Sequence, residues 1–351
     1  MQNRMFASAR GVSLIARLIG LITFLISLIF ITHVQAEEFN VSSVDGRIKL
    51  SGQLDVPVGD APQEGWPLVI MVPGTGFNDR DLLISETSSP NDFLFRSLAE
   101  ELVKKGVAAL RYDQRGVKCN RRTMPLCEDC NHGFEINSHY KKHCIDPWAR
   151  RYVTIETWRD DVQSIYEHGE KHHLVDSDRI VILAHSEGTW HTSVLVEQNR
   201  IQPKGLIYLG AMGRSPQSLS FWGVVDKIYD WTVSMDFNKD HFISNSEIKE
   251  NYKNTPLKSF PLEKLTAPGS GWEYEELLQF RRRELSDVMA YIWSHEDKAP
   301  YPSNFFVQAS MGWIKELFRD HVPVADRLKN FTGTLSCHWG SRDYQTPSKL
   351  E

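Results

Sequence analysis

From Arg47 onward the chain alternates short apolar runs with stretches of helical spacing. Ile48, Leu50, Gly52 and Leu54 alternate with Lys49, Ser51, Gln53 and Asp55, the period of two of a half-buried strand. Residues 67–72 are apolar throughout and end at Pro73-Gly74, which predicts a short strand buried on both faces. Phe93, Leu94, Leu98 and Leu102 follow helical spacing until Gly106 stops the helix. Further strands are expected over 107–112, 179–183 and 205–209, and near Thr332, with helices over 154–168 and 190–198. Alternating strands and helices predict an α/β protein with a mostly parallel sheet covered on both faces. Two stretches interrupt the alternation, one polar (118–148) and one long and mostly helical (213–329), which is expected to act as a lid.

Composition mainly excludes. At 41% hydrophobic, 351 residues can bury a large core, and a formal net charge of −5 offers no basic excess for a nucleic-acid partner. Residues 1–36 read as an export signal: Arg4 and Arg10 precede an apolar run from Leu18 to Ile31, and Val34-Gln35-Ala36 has the small residues of a cleavage site. The run is short for a membrane span, so a periplasmic or secreted protein without a stable span is expected. The mature chain then divides into a core (37–212), the insertion 213–329 and a return to the core (330–351). Oligomeric state is open. Cys119, Cys127, Cys130 and Cys144 crowd into the polar insertion, while Cys337 lies in an apolar run and is expected to be a buried thiol. In an oxidising compartment the four predict two disulfides whose pairing is open. A zinc site is the rival, because Cys127-x-x-Cys130 has ligand spacing and His132, His139 and His143 are close in sequence.

The strongest chemical signal is Ile180-Val-Ile-Leu-Ala-His-Ser-Glu-Gly188. An apolar strand runs into a sharp turn with Ser186 at its tip, and a helix follows. Small residues at Ala184 and Gly188 let the backbone segments approach, as a nucleophile elbow requires. On these residues the chain resembles the α/β-hydrolase superfamily, over about 47–343 apart from the two insertions. The resemblance implies an α/β-hydrolase fold with a helical lid. It also implies that Ser186 attacks a carboxylic ester or short-peptide carbonyl and forms an acyl-enzyme. Val72-Pro-Gly-Thr-Gly-Phe-Asn-Asp-Arg-Asp81 is similar to the oxyanion loop, with donors near Thr75, Gly76 and Phe77 and at Glu187. Asp113-Gln-Arg-Gly116 is similar to a structural turn of the family, and Gly340-Ser-Arg-Asp343 to the loop presenting the triad acid. The family order is Ser, acid, His, and no histidine follows Asp343 here. Among the histidines before it, His185 and His338 are expected to be structural. The chain is accordingly expected to be C-terminally truncated, with its final strand and histidine loop missing, and inactive or nearly so as it stands.

A second motif lies in the long insertion. Residues 236–247 fit an EF-hand calcium loop, with Asp236, Asn238, Asp240 and Glu247 as side-chain ligands, Phe242 giving its carbonyl and Ser244 acting through water. Phe221, Val225, Ile228, Trp231 and Met235 predict the helix before it. His241 stands where glycine supplies a sharp turn. Ca²⁺ in a structural role is the expected cofactor. The aromatic groups Trp272-Tyr274, Tyr291-Trp293 and Trp313-Phe318 are expected in the core, and Arg281-Arg-Arg283 on a solvated face. The alternative to an enzyme is a non-catalytic calcium-binding or interaction protein derived from a hydrolase.

Overall fold

The computed structural model describes residues 35–83, 93–121, 123–127, 133–146, 153–299, 310–341 and 343. Strands β1 (Gln35–Ser42), β2 (Lys49–Val56), β3 (Trp66–Val72), β4 (Ala108–Tyr112), β5 (Val175–His185) and β6 (Gly205–Leu209) join β9 (Thr334–His338) in one sheet. Its order is β1-β2-β4-β3-β5-β6-β9. β1 and β2 run antiparallel to their neighbours; all other pairs are parallel.

The period-two geometry of the strands divides the core. Leu68, Ile70 and Val72 of β3 join Leu110, Ile180 and Ile182 on one face. Helices α3 (Ile155–Glu170) and α4 (Glu187–Glu197) cover it through Trp158, Ile165, Trp190 and Val194. Val69 and Met71 point the other way, with Ala109 and Leu183, and meet Phe95 and Ala99 of α1 (Leu94–Lys104). This is the doubly covered, mostly parallel sheet that the apolar runs predict. Thr154 starts α3 through a reciprocal capping box with Thr157.

Two elements of this region lay outside the sequence expectations. β1 begins at Gln35, so cleavage after Ala36 would remove its first two residues from the ladder with β2; residues 1–34 lie outside those described. Helix α2 (Gly133–Cys144) occupies the cysteine segment. Cys119 bonds Cys144 across 25 residues, and Cys127 is also disulfide-bonded; Cys130 lies outside the described residues. The Cys119–Cys144 bond withdraws two of the four thiols from the zinc alternative. Cys337 is a thiol outside any disulfide but only half-buried, because β9 borders the sheet among the described strands and its side chains are partly or fully exposed.

Between β6 and β9 come α5 (Pro216–Phe221), a π-helical turn (Trp222–Asp226), α6 (Lys227–Val233), β7 (Phe242–Ser244) and α7 (Asn245–Asn251). They are followed by β8 (Gly271–Glu273), α8 (Tyr274–Ser294), α9 (Met311–Arg319) and α10 (Val324–Arg327). This segment packs in two parts. Ile228, Met235, Ile243, Ile248, Trp272 and Leu277 form a small core of their own. Val225, Met311, Trp313 and Ile314 instead belong to the main core. Two side-chain expectations fail here. Arg281 is buried, its Nη2 donating to the Lys264 carbonyl at 2.7 Å and its Nη1 bonding Glu284 at 2.7 Å, while Arg282 and Arg283 are exposed. Tyr291 and Trp293 are exposed, because the last turns of α8 have solvent on that side. Among the described residues no helix is long and apolar enough to cross a membrane.

Candidate active site

The carboxyl ends of the parallel strands form the edge where ligands bind in such sheets. Ser186 stands at this edge, between β5 and the first turn of α4. Its backbone has φ 52 and ψ −123, a conformation that a residue with a side chain rarely adopts. The turn is fixed from both sides: the Ser186 amide donates to the Leu209 carbonyl of β6 at 2.9 Å, and the Ser186 carbonyl accepts from Thr189. Glycine is required at two approaches. A Cβ on Gly74 would lie 2.8 Å from Ser186 Cβ, and one on Gly188 would lie 2.7 Å from the Pro73 carbonyl oxygen. The loop after β3 is therefore pressed against the serine turn. Ser186 itself is partly accessible.

Among the expected donors, Thr75 is exposed, Gly76 half-buried with φ 124, and Phe77 buried. Glu187 opens α4, so its amide has no acceptor within the helix and lies at the positive end of the helix dipole. The loop is braced by a residue the sequence reading passed over. Gln114 donates from Nε2 to the Gly74 carbonyl at 3.1 Å and accepts from the Asn78 amide at 2.8 Å. Its own amide donates to the Asn78 carbonyl at 3.0 Å. Asn78 Nδ2 donates to the carbonyls of Gly74 and Thr75. Asp113 holds the same loop through the Arg80 amide at 2.8 Å and the Arg80 guanidinium at 2.7 Å. The turn at 113–116 is thus structural in a specific sense: it shapes the backbone facing Ser186. A polar side chain directly after a strand, opposite a glycine loop, was the available signal.

The Glu187 side chain turns inward. Its Oε1 accepts from Trp313 Nε1 at 3.0 Å and lies 3.2 Å from His191 Nε2, one helical turn on. His191 is buried, stacked on Trp190 and edge-on to Trp158. Asp343 lies in the turn after β9, with its amide donating to the Gly340 carbonyl at 3.0 Å. Burial pulls the His185 imidazole below its usual pKa, and the Asp343 carboxylate opposes that; the same opposition reaches Lys227. Asp343 thus acts through space on His185, the residue before Ser186, and on Lys227. His338 is exposed on β9, where its Nε2 pairs with Ser336 Oγ at 2.8 Å.

The 236–247 loop is a separate feature. Asp236 Oδ1 accepts from the Lys239 amide at 2.7 Å, and its Oδ2 from the His241 amide at 3.1 Å and from Tyr274 Oη at 2.8 Å. Asn238 and Asp240 close the next turns onto the amides of Asp240 and Phe242. His241 has φ 67, the left-handed geometry that a glycine would otherwise supply there. Phe242, Ile243 and Ser244 pair antiparallel with Glu273, Trp272 and Gly271. Glu247 does not reach the loop's centre: its Oε2 accepts from the Ser244 amide at 2.9 Å and Oγ at 2.8 Å, in a capping box that starts α7. Among the described residues no three His, Cys, Asp or Glu side chains are gathered closely enough to hold a metal ion. The donor types suit calcium, and the arrangement would need Glu247 to swing inward.

No family profile matches the chain, and no curated protein matches it. Solved structures do. Est1E from Butyrivibrio proteoclasticus aligns at 15% identity and a TM-score of 0.43, over 89% of this chain and 81% of its own. The α/β hydrolase GrgF from a Penicillium species aligns at 14% and 0.38, over 88% and 90%. An acylaminoacyl peptidase from Pyrococcus horikoshii aligns at 12% and 0.41, over 92% of this chain and 35% of its own. The chain has the α/β-hydrolase fold, and the strand order with the strained turn at Ser186 is what carries that assignment.

Proposed function

We propose that this protein is a serine hydrolase that cleaves carboxylic ester or short-peptide bonds through an acyl-enzyme at Ser186. One observation carries the proposal: Ser186 is held at positive φ in the turn that leads into α4, pressed against the Gly74 loop. Such strain persists only where the surroundings impose it, and it clusters at working sites. Ser186 Oγ would attack the carbonyl carbon. The developing oxyanion would take hydrogen bonds from the amide of Glu187 and amides at Thr75–Phe77, each worth roughly 2.7–4 kcal/mol in the transition state. Asp343 would orient the imidazole that serves as general base. The segment between β6 and β9 would cover the site and select the substrate.

The test uses two readouts. A fluorophosphonate should add covalently to Ser186, located by peptide mass mapping, and not to the Ser186→Ala protein. Imidazole in solution should raise hydrolysis of p-nitrophenyl butyrate by the protein above the level of the Ser186→Ala control. Phosphonylation at another serine, or equal imidazole-dependent rates in the two proteins, overturns the proposal.

We also propose that the protein works outside the cytosol, as its disulfides favour, and that the 236–247 loop binds Ca²⁺. Asp236, Asn238, Asp240 and Glu247, the Phe242 carbonyl and a water on Ser244 would be the ligands. Left-handed His241 and the β7–β8 pairing support this reading. The ion would offset two of the three carboxylate charges and tie α6 to α7. It has no part in the bond cleavage.

A further inference from the structure

Two helices from distant parts of the chain exchange indole–carboxylate hydrogen bonds beside the serine turn. Helix α4 carries Glu187 and Trp190, while α9 of the insertion carries Trp313 and ends at Asp320. Trp313 Nε1 donates to Glu187 Oε1 at 3.0 Å, and in the opposite sense Trp190 Nε1 donates to Asp320 Oδ2 at 2.6 Å. The insertion is thus fastened to α4 at two points, and one of them is the residue next to Ser186. Trp313 is itself held in place. Its amide donates to Ser310 Oγ, which donates in turn to the Val153 carbonyl, each at 3.2 Å. Trp158 of α3 packs edge-on against its ring.

The surroundings of the Glu187 carboxylate are buried and aromatic. Glu187, His191 and Trp313 are all buried, and His191, whose Nε2 lies 3.2 Å from Glu187 Oε1, is flanked by Trp158 and Trp190. Glu187 Oε2 has no hydrogen-bond partner among the described residues. Burying a carboxylate with so few donors is costly, and an apolar side chain of the same volume commonly serves a core as well or better. What the carboxylate supplies is direction. The amide of a first-turn residue has no acceptor within its helix, so no helical bond aims it. An oxyanion donor must nevertheless meet its oxygen at about 2.7–3.1 Å. A hydrogen bond from a packed indole to the side chain of that same residue restricts the torsions about its Cα, and with them the line of the amide. Low dielectric around the pair strengthens the bond.

We propose that Trp313 and the Glu187 carboxylate are a positioning pair, which holds the Glu187 amide on the oxyanion formed when Ser186 is acylated. This deepens the serine-hydrolase reading and rests on it. Neither side-chain group touches the substrate; both act through the backbone of Glu187. The insertion thereby contributes to the chemistry at Ser186 as well as to any cover over it. The second tie, from Trp190 to Asp320, joins the same two helices without touching Glu187 and has no such role.

The test follows fluorophosphonate labelling of Ser186 in the full chain over a range of probe concentrations, which separates the maximal labelling rate from the half-saturating concentration. Glu187→Met fills the space without an acceptor. It should lower the maximal rate at least about tenfold and leave half-saturation within about twofold. Glu187→Gln keeps an oxygen for Trp313 and should stay within about threefold of the parent. Trp313→Phe loses the donor and should slow labelling about threefold or more. It decides the matter should Glu187→Met fail to fold. Trp190→Phe is the control: it breaks the other tie, so it should lower the melting temperature as Trp313→Phe does and leave the labelling rate unchanged. Parental labelling by folded Glu187→Met or Trp313→Phe overturns the proposal. So do equal losses in Glu187→Gln and Glu187→Met, or equal slowing by Trp190→Phe and Trp313→Phe. Failure of the unmutated protein to label at Ser186 is a distinct result. It removes the hydrolase reading and the positioning role with it, and a Trp313 indole N–H still protected from exchange would leave the pair as a structural tie.

Discussion

Ser186 holds a backbone conformation that costs on the order of 1–3 kcal/mol for a residue with a Cβ. Glycine tolerates it at no such cost. Ser186→Gly should therefore raise stability, by about 1 kcal/mol in urea unfolding, while removing phosphonylation entirely. A destabilised Ser186→Gly protein would mean that the side chain's packing outweighs the strain. Gly74 makes the converse case. Its Cβ would meet Ser186 Cβ at 2.8 Å and the His185 carbonyl oxygen at 3.0 Å, neither of which can swing aside. Gly74→Ala should cost about 1–3 kcal/mol and slow phosphonylation by displacing the loop. Gln114→Ala removes two side-chain bonds to that loop and should cost about 1–2 kcal/mol, with the labelling rate falling alongside. An unchanged labelling rate would show that Gln114 holds the loop without shaping the site. The sequence marked the turn at 113–116 as structural but not the loop that it braces. The serine turn was legible, because strand, small residues and helix are consecutive in sequence. Gln114 and Asp113 act across about three dozen residues, and only the folded chain brings them to Gly74, Asn78 and Arg80.

Among the elements, the cysteine insertion is closed by the Cys119–Cys144 bond. Closing a loop of this length is worth about 3 kcal/mol in the chain-entropy model. Reduction should lower thermal stability by a comparable amount, and mass mapping of non-reduced peptides should return the 119–144 pair. Four free thiols would return the segment to the zinc alternative. The calcium loop makes a prediction of its own kind. Glu247 now caps α7, so calcium must draw it away, which argues for a weak site of roughly 10⁻⁴–10⁻³ M. Melting temperature should rise as calcium passes that range, and Glu247→Gln should lose most of the rise. Superimposable curves at millimolar calcium would leave the loop as an acidic connector. Elements with a clean apolar period were legible from sequence: β2, β3, β4, β6, α1 and α3. β1 was not, because its Glu37, Glu38 and Asn40 lie on an edge strand that needs only one buried side chain, Phe39. The pairing of β7 with β8 was hidden for another reason. Three-residue strands show no period, and their partners lie far apart in sequence.

At the scale of the whole molecule, arginine–aspartate pairs form a buried seam at the carboxyl ends of β3 and β4. Arg111 joins Asp55 of β2 to Asp81, Arg80 joins Asp113, and Arg121 joins Asp79. Arg115 reaches furthest: it bonds Asp161 of α3 through Nε at 2.8 Å and Nη2 at 2.6 Å, and Asp45 of the β1–β2 turn at 2.6 Å. Its two carboxylates move in opposite directions. Burial pushes Asp161 up to about 6, outweighing the Arg115 bonds. Burial also works against Asp45, but bonds from Arg115, Ser43 and the Arg47 amide together hold it at about 2. The signs follow from proton linkage. Between the ordinary aspartate value of 3.8 and about 6, the folded state keeps a proton on Asp161 that the unfolded chain has lost, so rising pH removes stability. Between about 2 and 3.8 the unfolded chain holds a proton that folded Asp45 lacks, so falling pH removes stability. The Arg115 triad thus favours mildly acidic conditions. Melting temperature measured from pH 2 to 7 should show both limbs in the parent. Asp45→Asn should flatten the acid limb alone, and Asp161→Asn should flatten the limb between pH 4 and 6. The slopes decide, since either variant also lowers the whole curve by weakening the triad. An Asp161→Asn protein that keeps the parent's decline above pH 4 would mean that Arg115 outweighs burial at Asp161.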